Sequence, residues 1–283
     1  MEKTVPEYRI GCENEYDALK KVVVAPPTYM KITKAINETQ KYYENTNIDK
    51  HLAISQHQAF VSMLKERGIE VIDLPVSPHL HEQVFTRDIA FVAGTHLVLT
   101  AMEEPIRQDE PSILREWLNN RSLPYEEPPA GSIEGGDVLV DGDVLWVGRS
   151  GRTTSDAIED LRLKFPDHLI EPLPLQEATL HLDCVFSILD ERTAIVYPPA
   201  FTDEGVRKIE SRFETIPVTE EECFYMGPNV LSIGRGTIVS LPSQKRLNHL
   251  LRNKGFRVIE QDFSEIIKSG GSFRCCTMPL LRQ

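Results

Sequence analysis

Apolar positions along this chain fall into short runs, each opened by a polar residue and closed by a turn. Asp88-Ile89-Ala90-Phe91-Val92, Gly136-Asp137-Val138-Leu139-Val140 and Leu182-Asp183-Cys184-Val185-Phe186 share that layout. Short apolar runs bounded by turn residues are the mark of buried strands. A turn follows each (Ala93-Gly94-Thr95, Asp141-Gly142-Asp143, Asp190-Glu191-Arg192), then a second apolar stretch: Leu97 to Ala101, Val144 to Val147, Ala194 to Tyr197. Each is therefore predicted to be a hairpin. Asn229-Val230-Leu231-Ser232-Ile233 opens a fourth copy that turns through Gly234-Arg235-Gly236 into Thr237 to Leu241. Cys276 to Leu281 opens a fifth, which has no second strand after it. The opening residues stand at 88, 137, 183, 229 and 276, so the steps are 49, 46, 46 and 47.

An amphipathic stretch and another strand follow each complete hairpin, and one such pair precedes the first. Leu52 to Arg67 leads through Gly68 to Ile69 to Leu74, and Ser112 to Arg121 leads to Pro124-Tyr125. Thr154 to Lys164 precedes Leu169 to Leu173, Asp203 to Phe213 precedes Thr215 to Val218, and Ser243 to Lys254 stops at Gly255 before Phe256 to Ile259. Glycine just past a helix is a C-cap signal. The unit is strand–strand–helix–strand. The strand missing from the fifth unit is supplied from the other end of the chain by Lys21-Val22-Val23-Val24-Ala25-Pro26. Such sharing closes a ring, as in the shared blade of a propeller. The pattern predicts an α/β fold of five ββαβ units with pseudo-fivefold symmetry, one domain over residues 1–283.

Composition adds limits. The chain has 283 residues, 41% hydrophobic and 26% charged, which is ordinary for a soluble globular protein. A net charge of −12 argues against nucleic acid or an anionic membrane as the main partner, and leans toward a cationic ligand. Cysteines stand at 12, 184, 223, 275 and 276, with no Cys-x-x-Cys spacing, and Met1 to Pro6 carry no apolar run of the kind that opens a secretory leader. Free thiols in a reducing cytoplasm fit this pattern. No cofactor or metal is called for: His79-x-His81-Glu82 is a weak metal pattern, and loop histidines beside Pro78 are more often solvated. Self-association into a homo-oligomer is left open.

Candidate chemistry gathers near the end, in Ser269-Gly270-Gly271-Ser272-Phe273-Arg274-Cys275-Cys276-Thr277. Paired glycines let backbone approach a ligand closely, and a thiol beside a cation is where a reactive nucleophile can be built. A free cysteine is more often a small buried hydrophobe, so the stretch alone does not decide. Ring closure does, because the equivalent ends of the first strands then converge. Asp88, Glu134 with Asp137, His181 with Asp183, Asn229 and Cys275 would surround one cavity. Carboxylates, an imidazole and a thiol at one point form a catalytic constellation.

At these residues the chain resembles the guanidino-group-modifying family, which includes dimethylarginine dimethylaminohydrolase, arginine deiminase and glycine amidinotransferase. The matching pieces are Phe85-Thr86-Arg87-Asp88, Glu134-Gly135-Gly136-Asp137, His181-Leu182-Asp183 and Gly270 to Thr277. The resemblance implies a five-bladed, pentein-like α/β propeller. It also implies a hydrolase of arginine or an Nω-methylated arginine that forms citrulline through a covalent cysteine thioether. Cys275 would be the nucleophile, His181 the acid and base, and Glu134 a partner of His181 or of the guanidinium. Asp88 and Asp183 would grip the guanidinium. Segments Glu104 to Arg107 and Val147 to Thr153 are similar to those carrying carboxylate-binding arginines, here Arg107 and Arg152. The compact length resembles the dimethylaminohydrolase branch, whereas Thr-Arg-Asp and His-Leu-Asp resemble the deiminases. Amidino transfer to a second amine and a non-catalytic binding propeller stand as alternatives. Cys276, alternating with Cys275, is expected to pack away from it, and Asp137 to brace the glycine turn.

Overall fold

Five small sheets hold the strands of the computed structural model, which describes residues 8–283. The first joins β1 (Leu19–Val24), β2 (Glu70–Asp73) and β14 (Met278–Arg282) in the order β14-β1-β2. A hairpin of β3 (Ala90–Ala93) and β4 (His96–Leu99) makes the second. The third holds β5 (Val138–Asp141), β6 (Val144–Arg149) and β7 (Leu169–Pro174), and the fourth β8 (Phe186–Ile188), β9 (Thr193–Val196) and β10 (Glu214–Pro217). The fifth holds β11 (Leu231–Gly234), β12 (Thr237–Ser240) and β13 (Arg257–Glu260). In each three-stranded sheet the first strand of the unit runs antiparallel to the second, and the third lies parallel to the second.

Pairing of β1 with β14 brings the two ends of the chain together, Val22 opposite Pro279 and Val23 opposite Met278. Val22, Val23 and Val24 are fully buried, as expected of a strand covered on both faces. The crossover helices are α2 (Lys50–Glu66), α3 (Glu110–Asn119), α4 (Ser155–Lys164), α5 (Asp203–Arg212) and α7 (Lys245–Asn253). Thr154 and Thr202 cap α4 and α5 with their side-chain oxygens. Gly68 (φ 76°) and Gly255 (φ 92°) adopt left-handed torsions just past α2 and α7, which a Cβ would resist. Among the described residues no helix is long and apolar enough to cross a membrane.

Three features depart from the sequence expectation. Pro124-Tyr125 does not become a third strand, and that side of the hairpin keeps a single parallel bridge, Val98 to Glu126. Pro124 has no N–H to give a ladder, and Pro128 and Pro129 follow closely. The polar heads of the third and fourth sheets sit in 3-10 turns, Gly135–Asp137 and Leu182–Cys184, so the strands begin only at Val138 and Phe186. Two short helices were not foreseen, α1 (Glu38–Tyr43) and α6 (Glu220–Phe224).

Candidate active site

The heads of the strand units meet, and their polar side chains are almost wholly withdrawn from solvent. Asp88, Glu134, Asp137, His181, Asp183, Asn229 and Cys275 are each at most 2% exposed. Gly135 and Gly136 make this meeting possible. A Cβ on Gly135 would lie 2.1 Å from the Arg87 carbonyl oxygen, and one on Gly136 would lie 2.8 Å from both Asp88 Oδ1 and His181 Nδ1. Gly271 faces a similar limit, with Phe85 at 2.6 Å and the Cys275 Cβ at 2.9 Å.

His181 Nε2 lies 2.7 Å from Glu134 Oε2, while Nδ1 stands 3.7 Å from Asp88 Oδ1. Burial opposes charge on the ring, but Asp88 and the hydrogen bond to Glu134 outweigh it and push the imidazole up to about 10. Burial likewise opposes the Glu134 carboxylate. The hydrogen bond and charge of His181, then Arg107 and Arg152, hold it down at about 2. The pair is an ion pair, imidazolium on carboxylate.

Cys275 is fixed by Asn229. Nδ2 of Asn229 donates to the sulfur at 3.0 Å, and Oδ1 accepts the backbone N–H groups of Ser272 at 3.0 Å and Cys275 at 3.1 Å. On its other side the sulfur lies 3.7 and 3.6 Å from the Asp183 oxygens. Cys184 shares that carboxylate, 3.6 Å from Oδ1, and its thiol is pushed well above the usual range, first by its contact with Cys275 and then by burial. Arg274 does not turn toward the sulfur beside it in sequence. Its Nη1 donates to Asp183 at 2.9 Å and its Nη2 to Glu15 at 2.9 Å. Cys276 packs in the core, fully buried.

Asp137 braces the turn, accepting Ser150 Oγ at 2.6 Å, Thr153 Oγ1 at 2.7 Å and the Leu182 N–H at 2.9 Å. The two arginines differ. Arg107 Nη1 donates to Asp88 Oδ2 at 2.8 Å, and its other side grips Glu110, with Nη2 to Oε2 at 2.8 Å. Its guanidinium is thus already matched by carboxylates. Arg152 Nη2 donates to the Ile36 carbonyl at 2.8 Å, and Nη1 has no hydrogen-bond partner among the described residues. Glu82 is buried, held by Gln40 and Ser269, and the ring of His81 meets the Tyr29 carbonyl instead. His79 and His81 therefore form no donor set with Glu82. Ligand atoms of His181, Asp183 and Cys184, and of Asp88, Glu134 and His181, do lie within 4.8 Å of one another. Arg107 and Arg274 already neutralise the two aspartates in these sets.

Asp88 Oδ1, His181 Nδ1 and Ser272 Oγ are buried without a hydrogen-bond partner among the described residues. Orphaned buried polar atoms are expensive, and a polar ligand that paired with them would remove that cost. Glu15 has no place in the sequence reading, which sets Asn229 at the cavity without a role and Arg274 as a cation beside the thiol. Asn229 stood at the head of a repeat, but an amide carries no titratable signal, and Glu15 lies outside every repeat.

Several known proteins are similar to this chain over nearly its whole length. The family model described as N,N dimethylarginine dimethylhydrolase, eukaryotic, matches residues 26–282. The Bacillus subtilis protein YkgA, of uncharacterised activity, is 45% identical over 284 residues, spanning 100% of this chain and 99% of its own. N(G),N(G)-dimethylarginine dimethylaminohydrolase of Mycobacterium tuberculosis is 25% identical over 268 residues, 92% of this chain and 86% of its own. The solved N-terminal domain of ArgZ, a cyanobacterial arginine dihydrolase bound to product, matches with a TM-score of 0.85 at 25% identity, covering 94% and 98% of the two chains.

Proposed function

The chain belongs to the N,N-dimethylarginine dimethylhydrolase family, within the guanidino-modifying superfamily, and from that premise we propose a hydrolase of the guanidino group of an arginine-like substrate, working through Cys275. The whole of residues 1–283 is taken as one catalytic domain, its five sheets being blades of a closed ring. The observation that carries the reading is the pair of orphaned buried atoms, Asp88 Oδ1 and His181 Nδ1, with a His181 ring nitrogen within 4.8 Å of the Asp183 carboxylate that the Cys275 sulfur meets at 3.6 Å.

A guanidinium is a planar cation with its N–H groups fanned in one plane, matching carboxylate acceptors on its edges. Asp88 and Asp183 serve as those acceptors and hold the central carbon near the sulfur. The substrate cation offsets the negative charge of Asp183 and favours the Cys275 thiolate, to which Asn229 donates. Thiolate attack forms the carbon–sulfur bond. His181 then gives a proton to the departing nitrogen, and the carbon–nitrogen bond breaks to leave an amidino-thioether. Water attacks next, His181 takes its proton, and the carbon–sulfur bond breaks to release a ureido product and regenerate the thiolate. From arginine the products are citrulline and ammonia. From a methylated arginine they are citrulline and an amine.

Two buried carboxylates favour a guanidine with hydrogens on both terminal nitrogens, since a dimethylated nitrogen would leave one of them unmatched. Arg152, whose Nη1 makes no hydrogen bond among the described residues and stands 3.6 Å from Glu134 Oε1, is the group for an α-carboxylate. Incubation of the purified protein with arginine and with each Nω-methylated arginine, followed by a citrulline assay, tests the reading. Citrulline from arginine supports it, and no ureido product from any of these guanidines, with the fold intact, sinks it.

A further inference from the structure

The strand ends opposite to the catalytic heads enclose a surface cavity of about 460 Å³. Asn229 stands before β11, near Cys275, whereas the Gly234-Arg235-Gly236 turn at the far end of β11 lines this cavity. The starts of β1, β2 and β13 complete it, so it lies in the seam between the sheet that joins the two chain ends and the β11–β13 sheet.

Its charge runs against the composition. The chain has 43 acids and 31 Lys and Arg, yet the lining contains Lys20, Arg67, Arg235 and Arg257 and no acid. All four cations are exposed. Four acids of the surrounding elements are taken by other cations: Glu70 by Lys21, Asp73 by Lys65, Glu260 by Arg252 and Glu214 by Lys254. Arg235 also borders the neighbouring hollow that holds Asp17, Asp190 and Glu191. Glu66, beside Arg67, does not line the cavity. Four like charges around one hollow repel one another, and a polyanion would relieve that repulsion.

A second observation concerns Arg235. Its φ is 52°, between Gly234 at 96° and Gly236 at 65°. Glycine, asparagine or aspartate normally fills such turn positions, and at the β3–β4 and β5–β6 hairpins Gly94 (φ 55°) and Gly142 (φ 63°) do so. An arginine there costs about 1 kcal/mol of backbone strain, and residues held against such strain concentrate where a ligand is met. Leu19, Ile69, Ile233 and Ile259 supply an apolar wall. The volume lies in the range of small-molecule sites, roughly 300–1,000 Å³.

We propose that this cavity binds a nucleotide-sized phosphorylated compound, its phosphates on Lys20, Arg67, Arg235 and Arg257 and its apolar body against the isoleucines. Guanidinium forks match phosphate oxygens in pairs, and a diphosphate brings more negative charge to the four cations than a single carboxylate does. The proposal is independent of the chemistry at Cys275.

Calorimetric titration of the full chain at low salt, with ADP, inorganic pyrophosphate and adenosine as probes, tests it. ADP is expected to bind one per chain, pyrophosphate more weakly, and adenosine not at all, with ADP affinity falling as salt is added. Arg235→Gly removes a cation and relieves backbone strain, so it should weaken ADP by about tenfold, a single lost charged contact, while the melting temperature holds or rises. The combination with Arg257→Gln should weaken it further. Absence of ADP binding, or ADP binding unchanged in the double variant, overturns the site. Pyrophosphate binding as tightly as ADP overturns the role of the apolar wall.

Discussion

His181 is tied at Nε2 to Glu134, 2.7 Å away, and left without a hydrogen-bond partner at Nδ1, which stands 3.7 Å from Asp88. One nitrogen is thus spent on orientation, and the other is free to exchange a proton with a ligand. Glu134→Gln keeps the shape and removes the charge that helps push the ring up to about 10. The imidazolium is then less favoured, so the alkaline limb of the kcat/KM profile should move to lower pH, with a rate loss of about 100-fold or more, the scale of general acid–base catalysis. A pH–rate profile of the variant checks this. An unmoved alkaline limb removes Glu134 from the control of His181.

Stability should fall as pH rises above about 5. Burial pushes Glu82 from 4.5 up to about 7 and Asp137 from 3.8 up to about 6, and burial is outweighed at His181, which rises from 6.5 to about 10. All three hold protons more tightly folded than unfolded. Their contribution is therefore most favourable below the unfolded values and is lost as pH climbs through the folded ones. Glu15 and Glu134, held near 2 against burial by their cationic partners, act in the opposite sense and lose their contribution below about 4.5. The melting temperature should be higher at pH 5.5 than at pH 9. Glu82→Gln should flatten the fall between pH 4.5 and 7, which in the parent amounts to at most about 3 kcal/mol from this residue. An equal slope in parent and variant would mean that Glu82 is ionised in the fold.

Adjacent glycines should separate folding from catalysis. Alanine at 135 meets backbone, the Arg87 and Ala90 carbonyl oxygens at 2.1 and 2.7 Å, and backbone cannot step aside cheaply. Gly135→Ala is expected to destabilise by about 3 kcal/mol or more. At 136 the new methyl would instead press on Asp88 Oδ1 and His181 Nδ1, each 2.8 Å away. Those are side-chain atoms that can shift, so Gly136→Ala should fold with a smaller loss and yet be nearly inactive. Thermal melts beside activity measurements on both variants decide the point. An active Gly136→Ala enzyme would show that these two atoms do not need their present positions.

Much of this was readable because the chain repeats. Five polar heads at nearly equal spacing placed Asp88, Asp183 and Cys275 together before any coordinates, and the β1–β14 pair follows from the unmatched fifth strand. Partnership was harder to read. Arg274 is a cation beside a thiol in sequence, but the turn over 273–276 aims it at Asp183 and Glu15. Arg107 looked free to meet a carboxylate, but Asp88 and Glu110 both reach it. Sequence spacing gives which residues share a strand head, whereas ion pairing depends on side-chain reach across heads. The helix α6 carries a start signal that the repeat pattern does not use, since Thr219 and Glu222 form a capping box. The six-residue α1 has no comparable periodicity.

Arg152 allows the substrate's tail to be tested apart from its guanidine. One side of its guanidinium holds the Ile36 carbonyl at 2.8 Å, in the loop before α1, while the buried Nη1 makes no hydrogen bond among the described residues and stands 3.6 Å from Glu134 Oε1. If Nη1 receives an α-carboxylate, Arg152→Gln removes a charged contact from substrates that carry that group and from no others. Arginine should then lose about tenfold to a hundredfold in kcat/KM, the scale of a charge-assisted hydrogen bond. The loss should come mainly through KM, because the tail is bound alike in ground and transition states. Agmatine, which has the same guanidine and no carboxylate, should be turned over by parent and variant at nearly the same kcat/KM. Equal losses for both substrates would instead assign Arg152 to holding the Ile36 loop or the Glu134 carboxylate, since disturbing either one affects every guanidine regardless of its tail.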